Sequence, residues 1–312
     1  DYPGVIYAVR KDSPLIVGKS DAGNFIASDV PAILRYTKNV CFVQNMEIIQ
    51  LTAENVHFYD VDQEEIEKSF ETIVWDAEAA EKGGFEHFML KEIYEQPKAV
   101  ADTITPRIRE GRIVLDELGL SDEEIREISR IQMVACGSAY HVCMTARYVL
   151  EQMTGIPVDV DLASEFRYRH PILAEHTLVI VVSQSGETAD SLAALREAKN
   201  MGVKVMGIVN VVGSSIAREA DSVIYTWAGP EISVATTKAY STQLAVVYLL
   251  GIYFGRVRER IDECTYGEYV GELLTLPDKI RRILDEKERI QWFANKFSHS
   301  HDIFFIGRGL DY

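Results

Sequence analysis

The sequence contains no C-x-x-C pair. Its four cysteines, Cys41, Cys136, Cys143 and Cys264, are scattered, so no disulfide framework is expected and the thiols read as those of a reduced, cytosolic protein. No apolar run approaches the roughly 20 residues needed to cross a bilayer, and no signal peptide opens the chain. Positive charge is scarce: 32 Lys and Arg stand against 48 Asp and Glu, a net charge of -16. That balance argues against nucleic acid and anionic membranes as partners. The seven histidines show no zinc spacing; His299 and His301, which flank one serine, read as a solvated loop. Neither a metal nor a cofactor is expected. What remains, 47% hydrophobic and 26% charged over 312 residues, is a globular composition long enough for two domains.

Residues 1 to 72 alternate short apolar runs with turn signals and read as a mostly antiparallel β piece. Runs 5–9 and 15–17 flank Lys11-Asp12-Ser13-Pro14, a hairpin signal; runs 41–44, 46–51 and 56–59 continue the pattern, with Glu54-Asn55 as a turn. Residues 29–34 suit a short helix capped by Asp29. A polar stretch, 76–84, ends in Gly83-Gly84 and reads as a linker. Residues 86–94 are helical, with Gln96-Pro97 expected to break or kink the helix before it resumes toward Ile108. Ser121 with Glu124 is a candidate capping box for a helix over 122–129.

From Ile131 the period changes. Five strand candidates (131–135, 158–160, 178–182, 203–209 and 222–227) are mostly separated by helical patterns at 139–153, 163–168, 189–201 and 215–220, and a helix over 238–254 follows. Such alternation implies an α/β unit, a parallel sheet covered on both faces, with the flavodoxin-like strand order 2-1-3-4-5 expected. Ligands of such sheets sit beyond the carboxyl ends of strands 1 and 3. Residues 266–297 are helical, with a break expected at Pro277, and 303–306 read as a strand entering a glycine turn. The chain begins at Asp1 directly in a strand pattern and stops soon after Gly309, so a piece of a longer protein is expected.

Chemistry concentrates at two strand–helix junctions. After the third strand comes Ser183-Gln184-Ser185-Gly186-Glu187-Thr188, three hydroxyls in six residues, with Gly186 permitting close backbone approach. Unpaired N–H groups and the positive end of the helix dipole make such a junction an anion site without any Lys or Arg. An ordinary capped helix start is the alternative. After the first strand comes Cys136-Gly137-Ser138-Ala139, either a second ligand loop or a tight turn, with Cys136 more simply packed than nucleophilic. Residues 229–238 precede the last helix: Thr236 or Thr237 suits its cap, and Lys238 could approach an anion, although a cation in the first turn opposes the dipole. Arg167 and Arg169 suit carboxylate pairs across a subunit interface or a solvated face.

Together these loops resemble the sugar isomerase (SIS) fold. The match narrows with Ala163-Ser164-Glu165-Phe166-Arg167-Tyr168-Arg169, Gly213-Ser214-Ser215, residues 231–239 and Lys91-Glu92-Ile93-Tyr94-Glu95-Gln96-Pro97 to the isomerase half of the glutamine–fructose-6-phosphate aminotransferase (glucosamine-6-phosphate synthase) family. Asn24-Phe25-Ile26-Ala27-Ser28-Asp29 is similar to the rear of that family's Ntn-type glutaminase domain. The resemblance implies a glutaminase remnant at 1–72, a linker at 73–93, a first SIS domain at 94–258 and the start of a second at 259–312. It implies transfer of glutamine nitrogen to fructose 6-phosphate, giving glucosamine 6-phosphate on the way to UDP-N-acetylglucosamine, in a cytoplasmic homodimer. Ser183, Gln184, Ser185 and Thr188 would hold the phosphate, and Ser138, Thr236 and the backbone near Val234 would face the sugar. Ala139 stands where the family has a serine, so one hydroxyl is lost there. The family's nucleophilic Cys, Schiff-base Lys, catalytic Glu and ring-opening His fall outside this stretch, so no residue here is assigned a catalytic role and a binding fragment without activity is expected. The competing expectations are a noncatalytic SIS sensor of sugar phosphates, for which a basic helix-turn-helix should precede the SIS unit, and a phosphosugar isomerase or deglycase, which lacks the β-rich front.

Overall fold

The computed structural model describes residues 2–11, 14–73 and 82–309. In the N-terminal part, strands run over Ile6–Val9 (β1), Ile16–Ser20 (β2), Gly23–Ala27 (β3), Asn39–Phe42 (β4), Ile48–Leu51 (β5), Val56–Tyr59 (β6), Glu65–Ile66 (β7) and Glu71–Thr72 (β8), with the short helix Val30–Leu34 (α1) between β3 and β4. They form two antiparallel sheets of order β1-β5-β6-β7 and β3-β2-β4-β8. Alternation divides the burial. Val17 and Cys41 of one sheet meet Ile49, Leu51 and Phe58 of the other, while Ile16, Val40 and Phe42 point the opposite way onto Val30, Ile33 and Leu34 of α1. Asp29 caps α1, its Oδ1 accepting from the Ala32 N–H at 2.9 Å. Burial pushes the Cys41 thiol up to about 11, which suits an inert packing group.

Two expectations fail here. The turn signal at Lys11-Asp12-Ser13-Pro14, of which residues 12–13 lie outside the described residues, does not make a hairpin. β1 pairs with β5, Ile6 opposite Leu51, and β2 pairs with β3 and β4. A turn signal fixes a reversal of direction but not a partner. The hairpin in this region is β2–β3, closed by Asp21-Ala22 with Ser20 opposite Gly23. The turn at Glu54-Asn55 does join β5 to β6, Leu51 opposite Val56. The expected linker over 76–84 lies mostly outside the described residues.

The helix Phe88–Ile104 (α2) follows, then a two-residue hairpin of Ile108–Arg109 (β9) and Arg112–Ile113 (β10), and the helix Asp122–Glu127 (α3). α2 runs unbroken through Pro97, contrary to the expected break. Proline leaves the carbonyl four residues back without its N–H donor; the side-chain amide of Gln96 donates to that carbonyl, Ile93 O, at 3.1 Å. The capping box at Ser121 and Glu124 forms in both directions.

The remaining elements are Arg130–Ala135 (β11), Gly137–Thr154 (α4), Val158–Leu162 (β12), Ala163–Phe166 (α5), Thr177–Ser183 (β13), Ala189–Asn200 (α6), Lys204–Val209 (β14), Ser215–Glu219 (α7), Ser222–Tyr225 (β15), Lys238–Val257 (α8), Glu263–Asp285 (α9) and Lys287–Phe297 (α10). The five strands make one parallel sheet of order β12-β11-β13-β14-β15, the doubly wound order read from the sequence. Side-chain alternation sends Ile131, Met133, Leu178, Ile180, Met206 and Ile208 onto α4 and α8, and Val134, Val179, Val181, Val205 and Val209 onto α5, α6 and α7. α9 continues through Pro277, where a break was expected, and the helix changes at Glu286 instead. Tyr266, Val270 and Leu273 are buried in its first half, so packing holds the segment that the proline would otherwise interrupt. Residues 303–306 are exposed coil rather than the expected strand; a strand needs a neighbour to take its backbone bonds, and among the described residues none lies beside this one.

Candidate functional site

β11 and β13 lie side by side, with Ala135 opposite Val182. The two chemical loops therefore leave adjacent carboxyl ends, and they meet in a cavity of about 180 Å³. Ser138, Ser183, Gln184, Ser185, Thr188 and Thr236 line it, together with Cys136, Ala139, Val182 and Gln243. Six of the seven residues expected at a site are thus brought together. The seventh, Val234, has a fully exposed side chain and is not among the lining residues.

The loop over residues 183–188 is tightly determined. Gly186 has φ +64°, and a Cβ there would lie 2.0 Å from Ser214 Oγ, so glycine is required both for conformation and for space. Ser183 Oγ accepts from the Gly186 N–H at 3.1 Å and lies 3.0 Å from Thr188 Oγ1. Ser185 Oγ accepts from the Glu187 N–H at 3.1 Å. Thr188 holds the N-cap position of α6, yet its side chain makes no cap bond to the helix. The cap reading leaves the clustering of three hydroxyls unexplained, whereas an anion site uses them: the Ser185 hydroxyl, which accepts a loop N–H, still has its own O–H to donate, and of the Ser183–Thr188 pair one O–H bridges the two while the other is left to donate. The Gly186 N–H, by contrast, is already engaged inside the loop. Gly137, at φ +58°, opens α4 from N-cap Cys136, which likewise makes no side-chain cap bond.

No Lys or Arg lines the cavity. Lys238 is 2% exposed and donates to Glu95 Oε2 at 2.7 Å, so it is committed to a carboxylate of α2 and not to the cavity. Thr237 takes the N-cap of α8, but its side chain makes no cap bond. A carboxylate six residues upstream does the capping, Glu231 Oε1 accepting from the Thr237 and Ala239 N–H groups at 2.9 and 3.2 Å. Burial pushes the Glu231 carboxyl above its ordinary range, against the pull of those two donors. Glu92, 2% exposed, accepts from the Ile232 and Ser233 N–H groups at 2.7 and 3.1 Å and pins the same loop to α2. Arg167 and Arg169 pair within the chain, with Asp190 at 2.9 Å and Asp161 at 2.5 Å.

Gln243 was not legible as a site residue. It is 1% exposed, lines the cavity from α8, and its Oε1 has no hydrogen-bond partner in the described structure. In sequence it is one polar residue inside a long apolar helix, with no local signal. No group of histidine, cysteine and carboxylate side chains suited to a metal occurs among the described residues, and none of the helices described is long and apolar enough to cross a membrane.

Residues 124–253 match the SIS domain family. Along its length the chain is similar to glutamine–fructose-6-phosphate aminotransferases (isomerizing). It is 55% identical to that of Clostridium acetobutylicum over 99% of this chain and 51% of the relative, and 46% identical to that of Methanosarcina acetivorans over 100% and 51%. The chain thus spans about half the length of the relatives it matches. Among solved structures it is similar to the C-terminal domain of glucosamine-fructose-6-phosphate aminotransferase from Francisella tularensis, with TM-score 0.71 and 38% identity over 74% of this chain and 65% of that one. Residues 124–253 are a SIS domain on an α/β sheet, and the chain resembles this aminotransferase family from end to end.

Proposed function

We propose that this chain is the phosphosugar-binding part of a glutamine–fructose-6-phosphate aminotransferase, with fructose 6-phosphate, or its product glucosamine 6-phosphate, in the cavity between β11 and β13. The observation that carries the reading is the convergence of Ser138, Ser183, Gln184, Ser185, Thr188 and Thr236 on one small cavity that no cation lines. Ser183, Ser185 and Thr188 donate hydroxyl hydrogens to the phosphate, backed by the dipole of α6. Ser138 and Thr236 face the sugar, and the backbone near Val234 approaches it once ligand is bound. Gln184 holds the phosphate with Ser183, Ser185 and Thr188.

In this reading the β-rich residues 1–72 belong to a glutaminase unit that supplies nitrogen from glutamine. Residues 94–258 form the first SIS domain, residues 259–312 begin a second, and 73–93 connect the two parts. The boundary at 93/94 falls inside α2, which packs on α8 and α9. The assembled enzyme is a cytoplasmic homodimer acting on the way to UDP-N-acetylglucosamine. Bond-making groups are assigned to parts of the family outside this stretch, so the chain binds and orients. A noncatalytic sensor is less well supported because two antiparallel sheets, not a helix-turn-helix, precede the SIS domain. The test is 31P NMR: adding the protein to fructose 6-phosphate should broaden or shift its phosphorus signal, and excess glucosamine 6-phosphate should reverse the change in that signal. An unperturbed signal at millimolar protein and ligand would remove the proposal.

A further inference from the structure

The cavity has no cation in its lining, but the loop that lines it carries a buried carboxylate. Glu187, inside the phosphate-type loop, is 7% exposed. Its Oε1 accepts from the Ser215 N–H at 2.6 Å and its Oε2 faces Arg10 at 3.5 Å. Arg10 comes from the N-terminal β part, 177 residues away in sequence. It is 4% exposed and tied at several points: its backbone exchanges hydrogen bonds with Glu47 and Met46, one guanidinium nitrogen donates to Val43 O, and the other reaches Ser215 Oγ at 3.2 Å. Asp190, the other acid beside the loop, is likewise paired, with Arg167 at 2.9 Å.

A buried carboxylate under a loop that receives a phosphate dianion is a liability, since in a low-dielectric setting it opposes the ligand. The helix dipole and three hydroxyls attract the ligand only if that charge is cancelled. We infer that Arg10 is a positioning and charge-compensating residue of the phosphate site: by neutralising Glu187 it lets the loop accept a phosphate, and the site is therefore completed by the N-terminal β part. Two further guanidiniums, Arg196 and Arg218, and one further carboxylate, Glu219, lie within electrostatic reach of Arg10. Arg196 and Glu219 cancel each other in a two-point pair at 2.7 Å, and Arg218 points to Gly213 O and Ser215 Oγ. Arg10 is the guanidinium of this group that contacts Glu187. The inference rests on the phosphosugar reading of the cavity and adds to it a dependence on a residue outside the SIS domain.

The experiment is calorimetric titration of the full 312-residue chain with fructose 6-phosphate and, separately, inorganic phosphate, for wild type, Arg10→Met, Glu187→Gln and the double variant. Arg10→Met should weaken both ligands by about tenfold or more, because it leaves the buried Glu187 charge uncompensated inside the loop. The double variant should return to within about threefold of wild type, because removing both charges of a buried pair is tolerated far better than removing one. Glu187→Gln retains an amide oxygen for Ser215 and raises the local charge, so it should bind a few-fold tighter, and it decides the question if Arg10→Met does not fold. Equal affinity of wild type and folded Arg10→Met, a double variant no better than Arg10→Met, or weaker binding by Glu187→Gln would each overturn the inference. No binding of either ligand by wild type would overturn the phosphosugar reading and this inference with it.

Discussion

At the residue scale, the site depends on groups whose usual partner is missing or replaced. Thr188 and Thr237 occupy N-cap positions without capping, and the work at α8 passes to Glu231. That carboxylate has a raised pKa because it is buried. A carboxyl raised on folding binds its proton more tightly in the folded chain than in the unfolded one. Its contribution to stability is thus largest below the ordinary carboxylate pKa of about 4.3 and is lost as pH rises through the raised folded value. Glu231→Gln keeps an oxygen for the Thr237 and Ala239 N–H groups and has nothing to titrate. Relative to wild type, the variant should therefore gain stability at pH 7 compared with pH 4.5, measured by urea unfolding at both. An identical difference at the two pH values would contradict burial as the dominant influence on this group. The hydroxyl cluster at 183–188 was readable from sequence because its residues are contiguous. The caps at Glu231 and Glu92, and the amide of Gln243, were not, because their partners are set by tertiary packing.

At the element scale, α2 shows why a local breaker signal is overruled. Gln96 fills the acceptor that Pro97 leaves open at Ile93 O, and its own Oε1 accepts from Ser241 Oγ of α8. Gln96→Ala should cost about 1 kcal/mol. The cost should shrink when Pro97→Ala restores a backbone donor to the same carbonyl. A double-mutant cycle by denaturant unfolding reads the coupling; strictly additive effects would sink this explanation of the unbroken helix. The parallel sheet was legible to its order because its strands are continuous apolar runs separated by helices, a pattern with one good packing solution. The antiparallel part was legible as β but not in its pairing: β1 and β2 are neighbours in sequence and members of different sheets. Pro277 misled for a different reason from Pro97: Tyr266, Val270 and Leu273 hold α9 by burial. The run 303–306 has strand composition and, among the described residues, no strand beside it, and composition alone does not order a strand.

At the scale of the whole molecule, the proposed dianion site sits in an acidic chain. A net charge of -16 disfavours approach of a phosphate through solution, so affinity must come from short-range donors and local compensation. The fold provides both: two adjacent strand ends bring the hydroxyls together, and Arg10 and Arg167 cancel the nearest acids. The central claim is that the 183–188 loop binds the phosphate of a sugar phosphate and is not merely a helix start. Calorimetric titration of wild type and Ser185→Ala/Thr188→Val with fructose 6-phosphate, and with fructose as control, tests it most directly. Each charge-assisted bond lost is worth roughly 1.5–3 kcal/mol, so the double variant should bind the phosphate ester on the order of a hundredfold more weakly. Fructose should bind neither protein measurably; because the variant also loses the Ser185–Glu187 and Ser183–Thr188 hydrogen bonds, its folding is checked by denaturant unfolding alongside the titration. Equal binding of fructose 6-phosphate by both proteins, or equal binding of fructose and its phosphate by wild type, would contradict the account.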